Sequence, residues 1–176
     1  MTGFAALYEV LDGIEHVPAG LPLIAGLTGF TNAGAAVTQI ADNIFENLDA
    51  ELIVEFNNDE LLDYRSRRPV MYFDRDHIAE YDPITLGVYL VKDEVGSPFL
   101  YLHGYEPDFK WEAFAEAITH LTDVFEVSSF SWVHSIPFPA PHTRPVGVTV
   151  SGNRQEFIAR FSEWKPQTQV PGNVLH

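Results

Sequence analysis

The stretch from Leu23 to Leu48 constrains this chain more than any other. Leu23-Ile24-Ala25-Gly26-Leu27 is a short apolar run behind a proline, the pattern of a strand buried on both faces. Thr28-Gly29-Phe30-Thr31-Asn32 follows as a glycine-marked turn. Apolar residues then recur at Ala33, Ala36, Val37, Ile40, Ala41, Ile44, Phe45 and Leu48. That spacing predicts an amphipathic helix of about four turns, with Asn32 or Thr31 placed to cap its free amides. A helix of this length suits a crossover between two strands of the same direction.

The rest of the chain repeats the theme. Glu51–Phe56, Val70–Phe73, Ile84–Val91, Phe99–His103, Val127–Val133 and Val146–Val150 read as strands, and Leu7–Leu11 as a short edge strand. Turn residues in Asp93–Pro98 join two of them into a hairpin. Pro107-Asp108 opens a second helix, with Asp108 as its cap and Trp111, Phe114, Ala115, Ile118, Thr122 and Phe125 as its inner stripe. Asn153 with Glu156 resembles a capping box for a third helix, running through Trp164 and stopped by Pro166. Strands alternating with helices predict an α/β fold: three layers, α/β/α, around a mixed and mainly parallel sheet. The 176 residues read as a single α/β domain, 1–176. Pro171–His176 stops where another helix would begin, which fits a fragment or a chain that has lost a C-terminal helical lobe.

Charge excludes whole classes of partner. The net charge of −15 leaves no basic excess to neutralise nucleic-acid phosphates or to sit on an anionic membrane. No apolar run is long enough to span a bilayer, and Met1-Thr2-Gly3-Phe4 carries no basic region of a secretion signal. With no cysteine there is no disulfide and no thiolate chemistry. The expected compartment is the cytoplasm.

Against this acidity, four of the seven arginines, Arg65, Arg67, Arg68 and Arg75, fall within eleven residues. The planar guanidinium suits carboxylate or phosphate, so the segment reads as an anion clamp, a partner-docking loop or an internal ion-pair network with Asp63, Asp74 and Asp76. Gly104-Tyr105-Glu106-Pro107-Asp108 ends a strand and enters a helix, where ligands of α/β sheets usually sit. Glu106 there is a candidate acid or base, or an arginine partner. Pro141-His142-Thr143-Arg144-Pro145 holds His142, a second proton-transfer candidate, and Arg144 between two prolines. Gly26, Gly29 and Gly34, with Asn32, approach a helix N-terminus that could hold an anion. Their spacing matches neither a dinucleotide fingerprint nor a P-loop. His103, Glu106, Asp108, His134 and His142 lie near strand ends but in no metal-ligand spacing, so neither metal nor cofactor is expected. Ser128, Ser129 and Ser131 lie within a strand, in no nucleophile elbow.

Three of these motifs in this order, Asp63–Pro69, Gly104–Asp108 with Trp111 and Phe114, and Pro141–Pro145, closely resemble the bacterial branch of the second type of proteasome assembly chaperone family. Gly29-Phe30 with Ala33-Gly34 is similar to that family's first strand–helix junction. The resemblance runs from about Leu7 to His176. It implies a three-layer domain similar to nucleoside phosphorylases and some hydrolases. It also implies a non-catalytic role in protein assembly, with a protein partner or self-association into a homo-oligomer. Eukaryotic members of the family help to build proteasome α-rings. Such chaperones can end in a hydrophobic–tyrosine–any tripeptide, where this sequence has Val174-Leu175-His176. Bacterial relatives usually continue into a helical segment beyond this point.

Three expectations follow. The first is a non-enzymatic interaction module. The second is a small-molecule enzyme or sensor in which Arg65, Arg67, Arg68 or Arg144 holds an anion while Glu106 and His142 move protons. The third is a set of fold staples, with Arg67 or Arg68 paired to Glu106. All three expect the arginine, Glu106 and His142 segments to gather at one edge of the sheet.

Overall fold

The computed structural model describes Phe4 and residues 6–12, 14–161 and 169–175. It forms two compact units, Met1–Ile136 with Asn173–His176, and Pro137–Gly172.

The first unit is built on a six-stranded sheet of order β1-β3-β6-β7-β2-β8. The strands are β1 (Tyr8–Val10), β2 (Pro22–Thr28), β3 (Asp49–Phe56), β6 (Gly87–Lys92), β7 (Pro98–Tyr105) and β8 (Ser129–Trp132). β2 pairs in parallel with β7 and β8, and the other three pairings are antiparallel. Four of the six strands, β2, β3, β7 and β8, therefore point one way. The helix after β2, α1 (Ala36–Asn47), crosses to β3, with β7 and β6 lying between the two strands it joins.

Alternation along the strands sorts the core into two layers. Leu23, Ala25 and Leu27 of β2 and Leu100 and Leu102 of β7 share a cluster with Phe114, Ala117, Ile118 and Leu121 of α3 (Trp111–Val124). The intervening residues Ile24 and Tyr101 join Ala41 and Ile44 of α1. One helix thus covers each face, and the architecture is α/β/α. Close approach of α1 to the sheet needs Gly26: a Cβ there would lie 3.2 Å from Val37 Cγ1 and 2.9 Å from the Tyr101 hydroxyl.

The first helix begins differently from its sequence pattern. Ala33–Ala35 form a 3₁₀ turn, and α1 proper starts at Ala36. Asn32 still acts as a cap by reaching over that turn: its Oδ1 accepts the Val37 amide at 2.9 Å and its Nδ2 donates to Thr38 Oγ1 at 2.8 Å.

A second, two-stranded sheet joins β4 (Val70–Asp74) to β5 (His77–Asp82). Only its first strand is legible in the sequence. Between β3 and β4 lies α2 (Asn58–Leu61), one turn capped by Asn57, whose Oδ1 accepts the Asp59 amide at 3.0 Å.

In the second unit, α4 (Gln155–Phe161) begins after Arg154, whose carbonyl accepts the Ile158 amide at 3.2 Å. Asn153 therefore lies one residue too early to be the cap. The expected helix end at Trp164 and stop at Pro166 lie outside the described residues. The expected strand Val146–Val150 does not form. Val146 is 90% exposed and Val148 half-exposed, so no buried face recruits the segment into a ladder.

No described helix is long and apolar enough to cross a membrane.

Candidate functional site

The chain directions place a crevice at the carboxyl ends of β2 and β7. From β2 the chain leaves through α1 on one face, and from β7 through α3 on the other. The two connections leave to opposite faces and run over each other's strand, α1 toward β3 and α3 toward β8, which leaves the loops after β2 and β7 side by side at the carboxyl end of the sheet, the end at which ligands of open α/β sheets bind. Gly29 and Glu106 are the first residues beyond these strands. The Glu106 amide donates to the Thr28 carbonyl at 2.8 Å, which holds the two loops together. Thr28 Oγ1 adds a bond to the Gly104 carbonyl at 3.0 Å.

Gly104 has φ +143°, and an added Cβ would lie 2.6 Å from Leu86 Cα and from the Thr85 carbonyl oxygen. Only glycine lets the strand end turn here. Gly29 meets a different neighbour: a Cβ would lie 2.7 Å from Glu106 Oε2. The Glu106 carboxylate thus occupies the space that a side chain at position 29 would fill. Its other oxygen, Oε1, accepts the Val174 amide at 3.2 Å.

Beside the crevice, the arginine segment is stitched to the loop after β7. Asp63 starts an Asx turn, its Oδ1 accepting the Arg65 amide at 2.9 Å and its carbonyl accepting the Ser66 and Arg67 amides at 3.0 Å each. That turn aims Arg67 inward. Its Nη2 donates to Asp108 Oδ1 at 2.6 Å and its Nη1 to the Glu106 carbonyl at 3.0 Å. Asp108 Oδ2 accepts the Asp63 amide at 2.8 Å, and the Asp108 amide donates to the Leu61 carbonyl at 2.8 Å. The guanidinium also lies over the Tyr105 ring, 5.1 Å from its centroid. The Tyr105 hydroxyl donates to Asn58 Oδ1 at 2.6 Å. Burial pushes the Tyr105 phenol up, Arg67 pulls it back, and Tyr64 and Asp108 push it further up.

The structure corrects three sequence readings. Asp108 is not the cap of α3. The helix starts after Lys110, and the Asp108 carboxylate is taken by Arg67 and Asp63 instead. The arginine pair is Arg67 with Asp108; Glu106 contributes only its carbonyl. Trp111, expected on the inner stripe of α3, is partly exposed and donates its indole N–H to the Pro107 carbonyl at 2.6 Å.

The candidates therefore divide. Arg67, Glu106 and Gly29 come together with Asp108 and Asp63. Arg65 and Arg68 are exposed on the same turn. Asn32 is engaged in capping α1. His142 and Arg144 are exposed in the second unit, where the Arg144 amide closes a turn onto the Pro141 carbonyl at 2.9 Å. Among the described residues no group of three or more histidines and acids is placed to hold a metal. Sequence reasoning takes Asp63 as an ion-pair partner of the arginines and Val174 as part of a C-terminal tripeptide; it misses Asp63 as the start of the turn and Val174 as the partner of Glu106, since contacts across such distances leave no local spacing to read.

On the other face of β7, His103 Nδ1 donates to the Gly26 carbonyl at 3.0 Å and its ring stacks on Tyr101, centroids 5.4 Å apart. Burial pushes the imidazole below its ordinary value, with the Gly26 bond and Asp42 pulling the other way.

The sequence profile described as PAC2 family matches residues 26–176. This chain belongs to the PAC2 family. The Mycobacterium tuberculosis protein of unknown function Rv2714 is 38% identical, with TM-score 0.86 over 97% of this chain and 59% of its own. A protein of unknown function from Corynebacterium glutamicum is 36% identical, with TM-score 0.88 over 96% of this chain and 64% of its own. The PAC2 chain thus spans roughly three-fifths of the length of these two relatives. The Mycobacterium tuberculosis proteasome-assembly chaperone homologue Rv2125 shares its fold, with TM-score 0.78 at 20% identity over 88% of this chain and 66% of its own. A comparison with curated proteins finds no match.

Proposed function

We propose that this PAC2 chain is a non-enzymatic protein-interaction module of the assembly-chaperone kind, and that it self-associates. The observation that carries this reading is the β4–β5 ribbon. It pairs with no other strand among the described residues, and an isolated two-stranded ribbon is at best marginal in water. Its register pairs Met71 with Tyr81 and, beyond a one-residue bulge, Phe73 with Ile78. Cross-strand partners share a face, so these four side chains line one side of the ribbon. Each is more than half exposed, Phe73 at 64%. An exposed apolar face of this kind is the signature of a protein contact.

Charge favours a second copy as the partner. The chain carries −15 overall, whereas Asp63–Asp82 sets four arginines against five acids. This near-neutral, mixed-sign stretch is where two copies repel least. The turn held by Arg67 adds Arg65 and Arg68, exposed, at the root of the ribbon. The Arg67 guanidinium is already shared between Asp108 and the Glu106 carbonyl, which favours a docking role for this segment over an anion clamp.

Light scattering tests the proposal. The wild type is expected at a multiple of the chain mass. Met71→Glu with Phe73→Glu is expected at the chain mass, with its far-UV circular dichroism unchanged. A wild type that stays monomeric at high micromolar concentration overturns the self-association.

A further inference from the structure

We infer that Glu106 is a latch, fastening the segment Asn173–Leu175 across the carboxyl ends of β2 and β7 so that the chain itself closes the crevice there. Three observations meet here. The Val174 amide donates to Glu106 Oε1 at 3.2 Å. Val174 is only 4% exposed and belongs to the core cluster that lies under α3. Asn173, also buried, turns the segment over with its own side chain, its Oδ1 accepting the Leu175 amide at 3.3 Å. An apolar anchor and a charge-assisted hydrogen bond therefore act on adjacent atoms of one residue.

The carboxylate is aimed by its surroundings. Its backbone is pinned by Thr28 through the amide and by Arg67 through the carbonyl. Its second oxygen lies against Gly29, where no side chain competes for the space. The backbone anchors thus set where the side chain starts, and the Val174 amide is its hydrogen-bond partner over the crevice. Its partner is a neutral backbone N–H, so the contact is a fastening rather than an ion pair. With the segment released, the crevice would present a negatively charged hydrogen-bond acceptor. That chemistry favours N–H donors and disfavours the anions that the neighbouring arginines suggest from sequence.

The latch makes Glu106 a positioning residue, and its removal has a local signature. Hydrogen exchange on the full chain reads it. In Glu106→Ala the amides of residues 173–175 are expected to exchange roughly tenfold faster, the scale of one lost charge-assisted bond, while β2, β7 and α3 keep their protection. Glu106→Gln, which retains an acceptor oxygen, is expected to fall between Ala and wild type. Val174→Thr, which keeps the shape and loses the apolar anchor, is expected to open the same three amides with Glu106 intact. Unchanged exchange at 173–175 in Glu106→Ala overturns the inference. So does a rise shared equally by the sheet and α3, in either the Glu106 or the Val174 variant. Self-association through the ribbon is a separate readout, so failure of the latch leaves that reading standing, and the reverse.

Discussion

Arg67 and Asp108, forty-one residues apart in sequence, are joined by a 2.6 Å hydrogen bond between Nη2 and Oδ1. The pair is partly screened, the side chains being 31% and 21% exposed. Its weight comes from what shares it. The same guanidinium holds the Glu106 carbonyl, and the same carboxylate holds the Asp63 amide. One ion pair therefore fixes two loops, each at the edge of the crevice.

Arg67→Ala leaves a carboxylate and a carbonyl short of their donor. The expected cost is about 1.5–3 kcal/mol, below that of a fully buried pair because water reaches both groups. Arg68→Ala, on the same turn but exposed, is expected within about 0.5 kcal/mol of wild type. Urea unfolding midpoints of the two variants check this. Equal losses would mean that the segment acts through its overall charge and not through this contact.

Gly29→Ala places a methyl group where Glu106 Oε2 now lies. The same methyl would lie 2.8 Å from Glu106 Cβ, a clash that no side-chain rotation relieves, so the loop after β7 must shift and carry the carboxylate away from the Val174 amide. The variant is expected to copy the exchange pattern of Glu106→Ala at residues 173–175 although Glu106 is untouched. Exchange at those residues identical to wild type would show that the loop absorbs the methyl group without moving the carboxylate off the amide.

What the sequence made legible follows from the range of the interactions concerned. The 23–48 unit could be read because strand run and helix stripe are local patterns, and Val37, Ala41 and Ile44 are indeed its buried face. The two core layers could be read for the same reason. Asp108 misled because proline–aspartate before an apolar stripe is a helix-start signal. Its carboxylate found stronger partners in Arg67 and the Asp63 amide, which no local rule reveals. β5 stayed hidden because His77–Asp82 alternates poorly: the bulge at Ala79 shifts Ile78 onto the face of Tyr81. The Val146–Val150 stretch has strand composition without a buried face. Composition is local, and burial is not.

Two rings on the α1 face of β7, the buried Tyr101 and the half-buried His103, set opposite pH limits. His103 is held below its ordinary value of 6.5, chiefly by burial among Phe45, Tyr101 and the sheet, with Asp42 as the nearby acid. Folding favours the neutral ring, so the unfolded chain binds more protons. The stabilisation is complete above about pH 6.5 and drains away as the pH falls through the lower folded value. Tyr101 is pushed up to about 12 by burial. Its contribution is complete below pH 10, the ordinary value, and is lost as the pH climbs toward 12. Melting temperature against pH should therefore flatten on the acid side in His103→Gln and on the alkaline side in Tyr101→Phe. Profiles unchanged in shape would assign these limits to other groups.

Salt separates the two kinds of partner that the ribbon and its arginines could serve. Two copies, each at −15, repel across any shared interface, and the repulsion is screened as ionic strength rises. The apolar contact of Met71, Phe73, Ile78 and Tyr81 is not weakened by the same change. Self-association is therefore expected to tighten between low and physiological salt, read as a fall in the dissociation constant by sedimentation. An acidic protein docked on Arg65 and Arg68 would behave in the opposite way, since screening removes the attraction that holds it. Weakening with salt, abolished by Arg65→Glu and Arg68→Glu together, would move the arginine turn to the centre of the interface and leave the ribbon at its rim.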